Sequence, residues 1–177
     1  MIKYRMAAIG CSKTKIERPE SPKQDWFTPG LLYTGQLFRK RVDYAGRIGL
    51  PWVALSAKYG AWRNDVEQPH YDLMLSQMSK ADQAIWHVSV AKQLTERMLF
   101  SGVDAEMTNV PFKPHECEIE LHAGALYADT VGLLLMAVGF SVKVPCRGLG
   151  IGEQLAAYTS GPLSVSAAGG RKAVHDA

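Results

Sequence analysis

The stretch Tyr4-Arg-Met-Ala-Ala-Ile-Gly-Cys-Ser-Lys-Thr-Lys15 passes from an apolar run directly into small, hydroxylic and cationic residues. Its first seven residues predict a strand that is buried on both faces. Ser12, Lys13 and Thr14 follow at the carboxyl end of that strand, where hydroxyl and ammonium donors suit an anion. A phosphate-bearing ligand is the first hypothesis for this loop, and a solvated turn is the alternative.

Strand-like and helix-like patterns alternate along the rest of the chain. Further strands are predicted at 51–57, 117–121 and 140–144, and helices at 30–47, 79–100, 125–137 and 150–158. The first helix carries a basic face at Arg39, Lys40 and Arg41, and the third, apolar on nearly every side, is expected deep in the core. The second helix is predicted to be capped by Ser79 and to bury one apolar stripe, formed by Ile85, Trp86, Val90, Leu94 and Met98. This alternation predicts a three-layer αβα sandwich with a central, mainly parallel sheet.

Length and composition favour one domain. The chain has 177 residues, 47% of them hydrophobic, which is enough for one well-buried core. Residues 1–159 are predicted to form a single α/β catalytic domain, and the small, polar, glycine-rich residues 160–177 a flexible C-terminal tail. The net charge of +3 permits nucleic acid as a partner without requiring it.

Several classes of protein are excluded by what the sequence lacks. It has no apolar segment of signal-peptide or membrane-spanning length, which predicts a cytoplasmic protein without a membrane partner. Cys11, Cys117 and Cys146 are widely spaced and lack a Cys-x-x-Cys pattern, so neither disulfides nor a metal site is expected. Neither the P-loop nor the dinucleotide glycine spacing occurs, so no cofactor is predicted. No obligate protein partner is evident.

The carboxyl ends of the predicted strands share an unusual composition. Ligands of open α/β sheets bind outside those ends. The first strand ends in Cys11, Ser12, Lys13 and Thr14, the second in Ser56, Lys58, Tyr59 and Gly60, the third in His122, and the fourth in Arg147, Gly148 and Gly150. We therefore expect one crevice lined by small residues, hydroxyls and cations. Taken singly, each group also fits an ordinary turn, a surface cation or a core histidine.

Carboxylates and aromatic rings occur in the same loops. Asp72 is the first candidate for a catalytic carboxylate and Glu153 the second, while an N-cap for residues 73–78 is the structural alternative for Asp72. Tyr33, Tyr59 and Tyr71 lie in or beside these loops. Aromatic rings mixed with cations suit stacking on a base and holding its backbone, although Tyr33 also fits a core position.

These motifs together carry a resemblance. They are CSKTK at 11–15, LYTGQLF at 32–38, LSAKYG at 55–60, Tyr71-Asp72, HAG at 122–124 and GLGIGEQL at 148–155. Over residues 4–158 the chain resembles a family of small bacterial and phage proteins related to the glycosylase-like domain of archaeosine synthase and to the uracil-DNA-glycosylase-like fold. It departs from that pattern at Ala61-Trp62, where the family continues Gly-Leu, so the loop after the second strand is expected to be specialised.

The resemblance and the chemistry of these loops together predict a DNA glycosylase that removes a modified pyrimidine, such as glucosylated hydroxymethylcytosine, from phage DNA and leaves an abasic site. A monofunctional enzyme is expected, because nothing in the sequence marks Lys13 or Lys58 as a Schiff-base nucleophile. In this interpretation Asp72 stabilises charge on the sugar and His122 donates to the departing base. The phosphate contacts come from Ser12, Lys13, Lys58 and Arg147. Two alternatives stay open: an N-glycoside hydrolase or transferase acting on free nucleotides or nucleosides, and a non-catalytic nucleic-acid-binding module.

Overall fold

A central five-stranded sheet organises the chain. The computed structural model describes residues 1–21, 24–100 and 111–160. The sheet contains β1 (Tyr4–Gly10), β3 (Trp52–Ser56), β4 (Gly60–Arg63), β6 (Cys117–His122) and β7 (Ser141–Lys143), in the order β4-β3-β1-β6-β7. All neighbours are parallel except β3 and β4. A separate antiparallel pair joins β2 (Trp26–Phe27) to β5 (Gln68–Pro69).

Helices cover both faces of this sheet. They are α1 (Pro29–Leu32), α2 (Gln36–Arg47), α3 (Lys80–Phe100), α4 (Ala125–Val138) and α5 (Ile151–Thr159). Helices α2 and α5 pack together, and so do α3 and α4. Tyr44 of α2 contacts His122, whereas Met98 of α3 accepts a hydrogen bond from Cys117. His122 and Cys117 are five positions apart on β6 and so point to opposite faces, which confirms the predicted three-layer αβα architecture.

The order of the strands reverses at β1. The chain leaves β1 through α2 to reach β3 on one side, and later reaches β6 on the other side through α3. The carboxyl ends of β1 and β6 therefore flank a topological switch point, where ligands of such sheets bind. The two ends approach closely, since a Cβ on Gly10 would lie 2.9 Å from the Cβ of Ala123.

The predicted continuous helix at 30–47 is wrong. It is interrupted after α1 because Tyr33 is extended and forms an isolated antiparallel bridge with Lys15. Two further backbone hydrogen bonds tie this interruption to the loop after β1, from Thr34 N to Thr14 O and from Ile16 N to Leu32 O. Gly35 then serves as the N-cap of α2.

Apolar side chains on the outer helices differ from expectation in their burial. Helix α4 buries Val131 and Leu135, yet Leu133 and Met136 are exposed, so its predicted place deep in the core is wrong. On α3, Ile85 is exposed although its spacing predicted burial. Both helices belong to an outer layer, where only the side facing the sheet is covered.

Other predictions hold closely. Strand β1 has the predicted bounds, and Ser79 caps the start of α3, accepting a hydrogen bond from Asp82 N at 3.1 Å.

Most of the predicted tail, residues 161–177, lies outside the described residues. Within the described part of the chain, no helix combines the length and the apolar character needed to cross a bilayer.

Candidate functional site

Three hydroxyl groups, here called the tyrosine anchor, join the carboxyl end of β3 to two loops. The phenol oxygens of Tyr33 and Tyr71 lie 2.5 Å apart, and Ser56 Oγ donates to that of Tyr71 at 2.9 Å. Burial raises the pKa of both phenols, so they stay protonated. Since both rings are buried, the prediction that Tyr33 and Tyr71 contact substrate is wrong. They hold the loops in place instead.

Asp72 stands at the exposed end of this anchor. Its side chain is 94% exposed, and Oδ1 lies 3.9 Å from the Nζ of Lys15, whose side chain is only 7% exposed. The same ammonium lies 4.9 Å from the centre of the Tyr71 ring, a cation–π geometry. Asp72 caps no helix, because residues 73–78 form only a single 3-10 turn at Leu75–Gln77, whose N-cap is Met74.

Lys15 is a site residue that the sequence reasoning missed. It belongs to the same CSKTK motif as Lys13, but the pairing of Lys15 with Tyr33 turns its side chain inward. Alternation along an extended segment was the available signal, because adjacent residues of such a segment point to opposite sides.

The loop after β1 and the turn after β3 present hydroxyl and ammonium groups to solvent. Ser12 Oγ accepts a hydrogen bond from Thr14 N at 3.1 Å. Lys13 and Lys58 are exposed, and neither forms an ion pair within the ranges that the structure describes. Both cations are therefore available to an anionic ligand. Tyr59, beside Lys58, is half-buried.

Cys11 lies at the switch point itself. The half-buried Cys11 Sγ is 3.3 Å from the phenol oxygen of Tyr127, on the first turn of α4. Burial raises the pKa of Tyr127, and the neighbouring Cys11 raises it further. Cys11 thus joins the loop after β1 to α4 across the crevice.

Gly60 is required by the hairpin between β3 and β4. Its φ is +67°, and a Cβ there would lie 2.3 Å from Gln93 Oε1. That oxygen accepts a hydrogen bond from Ala61 N at 2.7 Å. Gly60 was predicted to contact a ligand, but its role in the structure is to form the hairpin turn and to let Gln93 approach.

The fourth strand end does not form the predicted anion site. Glu153 Oε2 accepts a hydrogen bond from Gly150 N at 2.7 Å, so the carboxylate of this chain already occupies the turn that opens α5. Arg147 donates to Asp129 Oδ1 at 2.6 Å, and Gly148 only makes the turn, with φ +80°. The catalytic assignment of Glu153 and the ligand contacts of Arg147, Gly148 and Gly150 are corrected accordingly.

His122 is buried in the layer between the sheet and α5. Its Nδ1 lies 2.8 Å from the Tyr158 hydroxyl and its Nε2 lies 3.1 Å from Glu120 Oε2. Burial lowers the pKa of His122, although the bond to Glu120 opposes that shift. A neutral ring then donates from Nε2 to Glu120 and accepts from Tyr158 at Nδ1. Both nitrogens are engaged, so the prediction that His122 donates to a departing base is wrong.

Four charged residues lie around His122 and form with it a group, here called the sheet network, that the sequence analysis did not predict. Its members are Arg5, Glu118, Glu120, His122 and Lys143. Arg5 donates to Glu118 at 2.8 Å and to Glu120 at 2.6 Å, and Lys143 lies 2.9 Å from Glu118. Burial alone would raise the pKa of Glu120, but the surrounding donors and cations lower it overall. The signal was the alternation of Glu118 and Glu120 along β6 opposite Arg5.

The fold and these contacts define an αβα protein with a polar crevice at the switch point of its sheet. Residues 6–160 match a family model described as a family of unknown function, DUF6884, and the chain belongs to that family. No curated protein and no solved structure matches the chain. Among the residues that the structure describes, no three His, Cys, Asp or Glu side chains converge as metal ligands would.

Proposed function

We propose that this protein hydrolyses N-glycosidic bonds, as a monofunctional DNA glycosylase acting on a modified pyrimidine such as glucosylated hydroxymethylcytosine in phage DNA. One observation carries the proposal. Asp72 is an exposed carboxylate beside a buried ammonium, on a loop that the tyrosine anchor holds at the carboxyl edge of the sheet. Antiviral defence in the cytoplasm belongs to the same proposal.

The chemistry of base removal suits this arrangement. Breaking the bond between C1′ and the base nitrogen builds positive charge on the sugar. A carboxylate that is fixed in position stabilises that charge or orients the attacking water. Asp72 is the remaining candidate of the three predicted catalytic residues, because His122 and Glu153 are bound within the fold. Lys15 acts as a positioning residue for Asp72.

Contacts to the nucleic acid come from the same edge. Lys13 and Lys58 are exposed cations that suit phosphates, and Ser12 and Thr14 add hydroxyl groups. The ring of Trp26 is 53% exposed and is left for stacking on a base, whereas the half-buried Tyr59 already packs against Trp62 and Tyr71.

The direct test is base release. The full chain is incubated with duplex oligonucleotides carrying cytosine, hydroxymethylcytosine or glucosylated hydroxymethylcytosine, and abasic sites are detected as alkali-labile breaks. We expect breaks on one modified duplex and none on unmodified DNA. The absence of breaks on every duplex would reject the proposal, and borohydride trapping of a protein–DNA adduct would reject a monofunctional mechanism.

A second candidate function is an N-glycoside hydrolase or transferase that acts on a free nucleotide or nucleoside. The observation that favours it is a cavity of about 270 Å³ beside Ser12, which is small for a polymer. Salt separates the two candidates, because duplex binding weakens steeply with salt while mononucleotide binding does so weakly. A non-catalytic binding module would bind DNA with the steep dependence and release no base.

A further inference from the structure

Arg41 is a buried cation that lacks a carboxylate partner among the described residues and whose guanidinium lies 5.9 Å from the centre of the Tyr158 ring, a cation–π geometry. The residue is 6% exposed, although it belongs to the run Arg39-Lys40-Arg41 that predicted a solvated basic face. Its Nη2 donates to Gln154 Oε1 at 2.8 Å, while Nε has no hydrogen-bond partner. None of the described carboxylates forms an ion pair with it. Burying a guanidinium without a counter-charge is costly, so the position calls for an anion.

The guanidinium lines a cavity of about 270 Å³ between the end of β1, the start of α2 and the start of α5. Ser12 and Gly35 form the polar wall of the cavity. Leu37, Ile151 and Leu155 belong to its apolar wall. The cavity is thus cationic at one side and apolar at the other, as a small organic anion requires.

The start of α2 adds a second source of positive potential. No side chain caps this 12-residue helix, because its N-cap is Gly35. A Cβ at Gly35 would lie 2.0 Å from Ser12 Oγ, so the missing side chain lets Ser12 lie directly against the helix end. The N-terminus of a helix and an adjacent serine hydroxyl both donate hydrogen bonds to oxyanions.

We propose that this cavity binds a phosphomonoester, with Arg41 as its main ligand and with Ser12 and the first turn of α2 as further donors. Arginine binds phosphate oxygens with two parallel hydrogen bonds, and Nε is one of the two donors usually used. A terminal phosphoryl group can enter the cavity to reach a guanidinium that is 6% exposed, whereas a phosphodiester is tethered on both sides. The site does not depend on glycosidic-bond hydrolysis.

Binding of phosphate probes to the full chain tests the site. Isothermal titration calorimetry compares inorganic phosphate, a nucleoside 5′-monophosphate and the matching nucleoside, at constant ionic strength in chloride. We expect the monophosphate to bind and the nucleoside to bind at least about tenfold more weakly, the scale of hydrogen bonds to a charged group. Equal binding of monophosphate and nucleoside, or no binding of either phosphate, would overturn the proposal.

Matched variants assign the effect to Arg41. Arg41→Gln is expected to weaken monophosphate binding at least about tenfold, and Arg41→Lys, which keeps the charge but loses the planar fork, by less. Arg39→Gln removes an exposed cation from the same helix and should leave binding unchanged. Circular dichroism checks folding, and Ser12→Ala gives a second reading should Arg41→Gln not fold. Wild-type affinity in both Arg41→Lys and Ser12→Ala would overturn the assignment.

The source of the phosphoryl group follows from oligonucleotides with and without a 5′-phosphate. Preference for the phosphorylated strand, lost in Arg41→Gln, would assign the cavity to a DNA end, and binding of the mononucleotide alone would assign it to a free nucleotide. If Arg41→Gln weakened the binding of the phosphorylated and the unphosphorylated oligonucleotide equally, the phosphomonoester assignment would be overturned. Failure of base release leaves all these binding results unaffected.

Discussion

The sheet network and the crevice edge contain similar side chains but use their charges differently. In the sheet network, every charged group has an opposite or hydrogen-bonding neighbour at no more than 3.1 Å. At the crevice edge Lys15 and Asp72 lie 3.9 Å apart, and Asp72 is almost fully exposed. Charges that the fold pairs internally are costly to unpair, whereas charges left open at the surface are available to a ligand.

The largest expected effect comes from breaking the sheet network. Glu120→Ala leaves the buried Nε2 of His122 without its partner and removes one of the two carboxylates that Arg5 binds. We expect the free energy of unfolding to fall by about 3–5 kcal/mol, as for other broken buried pairs. Urea denaturation measures it.

The matched control lies on the surface. Glu96 is exposed and 3.9 Å from Lys92, one turn away on α3, so Glu96→Ala should cost about 0.5 kcal/mol or less. A Glu120→Ala protein as stable as Glu96→Ala would show that the sheet network is not a source of stability.

The next largest effect is expected on base release, when the exposed charge of Asp72 is removed. Asp72→Asn keeps the shape of the side chain and removes its charge, so base release should fall by at least about a hundredfold while the urea midpoint stays unchanged. Asp65→Asn, at an exposed aspartate paired with Arg63, is the control and should keep full activity. A fully active Asp72→Asn protein would remove Asp72 from the site.

The tyrosine anchor should show an intermediate loss of stability. Ser56→Ala removes a donor to Tyr71 and the acceptor of Tyr59 N, all buried or half-buried. We expect a loss of about 1–3 kcal/mol in urea denaturation. Ser89→Ala, at an exposed site on α3, should change it little, and a similarly small change in Ser56→Ala would argue against the anchor.

A pH titration tests the sheet network through the protonation of His122. Since the pKa of His122 is lowered in the folded state, the unfolded chain binds the proton more readily. Stability should therefore fall as the pH drops below the ordinary histidine value of 6.5, until the folded-state ring is protonated. Urea midpoints at about pH 7.5 and about pH 5.5 measure this loss. His122→Gln should reduce the loss, and an undiminished loss would assign it to other groups.

The smallest expected effect is on DNA binding. Lys13→Ala removes one exposed cation, so the slope of log affinity against log salt should decrease by about one phosphate contact. Lys92→Ala, on an exposed part of α3, should leave the slope unchanged. Equal salt slopes for the wild type and Lys13→Ala would show that Lys13 does not contact the DNA.

The sequence alone was sufficient for the framework of the sheet. The apolar run of β1, the strand at the start of CEIELH and the Ser79 cap of α3 depend on local periodicity and local hydrogen bonds, which neighbouring residues determine. The edge strand β4 was not predicted, because its residues GAWR become a strand only through pairing with β3. A second tertiary pairing, between Tyr33 and Lys15, interrupts the helix that was predicted at 30–47.

Only the tertiary structure decided which polar residues are open to a ligand. Local pattern does not show that Arg41 is buried while Arg39 is exposed, or that Tyr33 bonds to Tyr71 across 38 positions of sequence. His122 and Glu153 were plausible catalytic groups in sequence and have partners in the fold. The physical reason is that hydrogen bonding and burial of a side chain depend on neighbours in space. Composition and periodicity describe only neighbours along the chain.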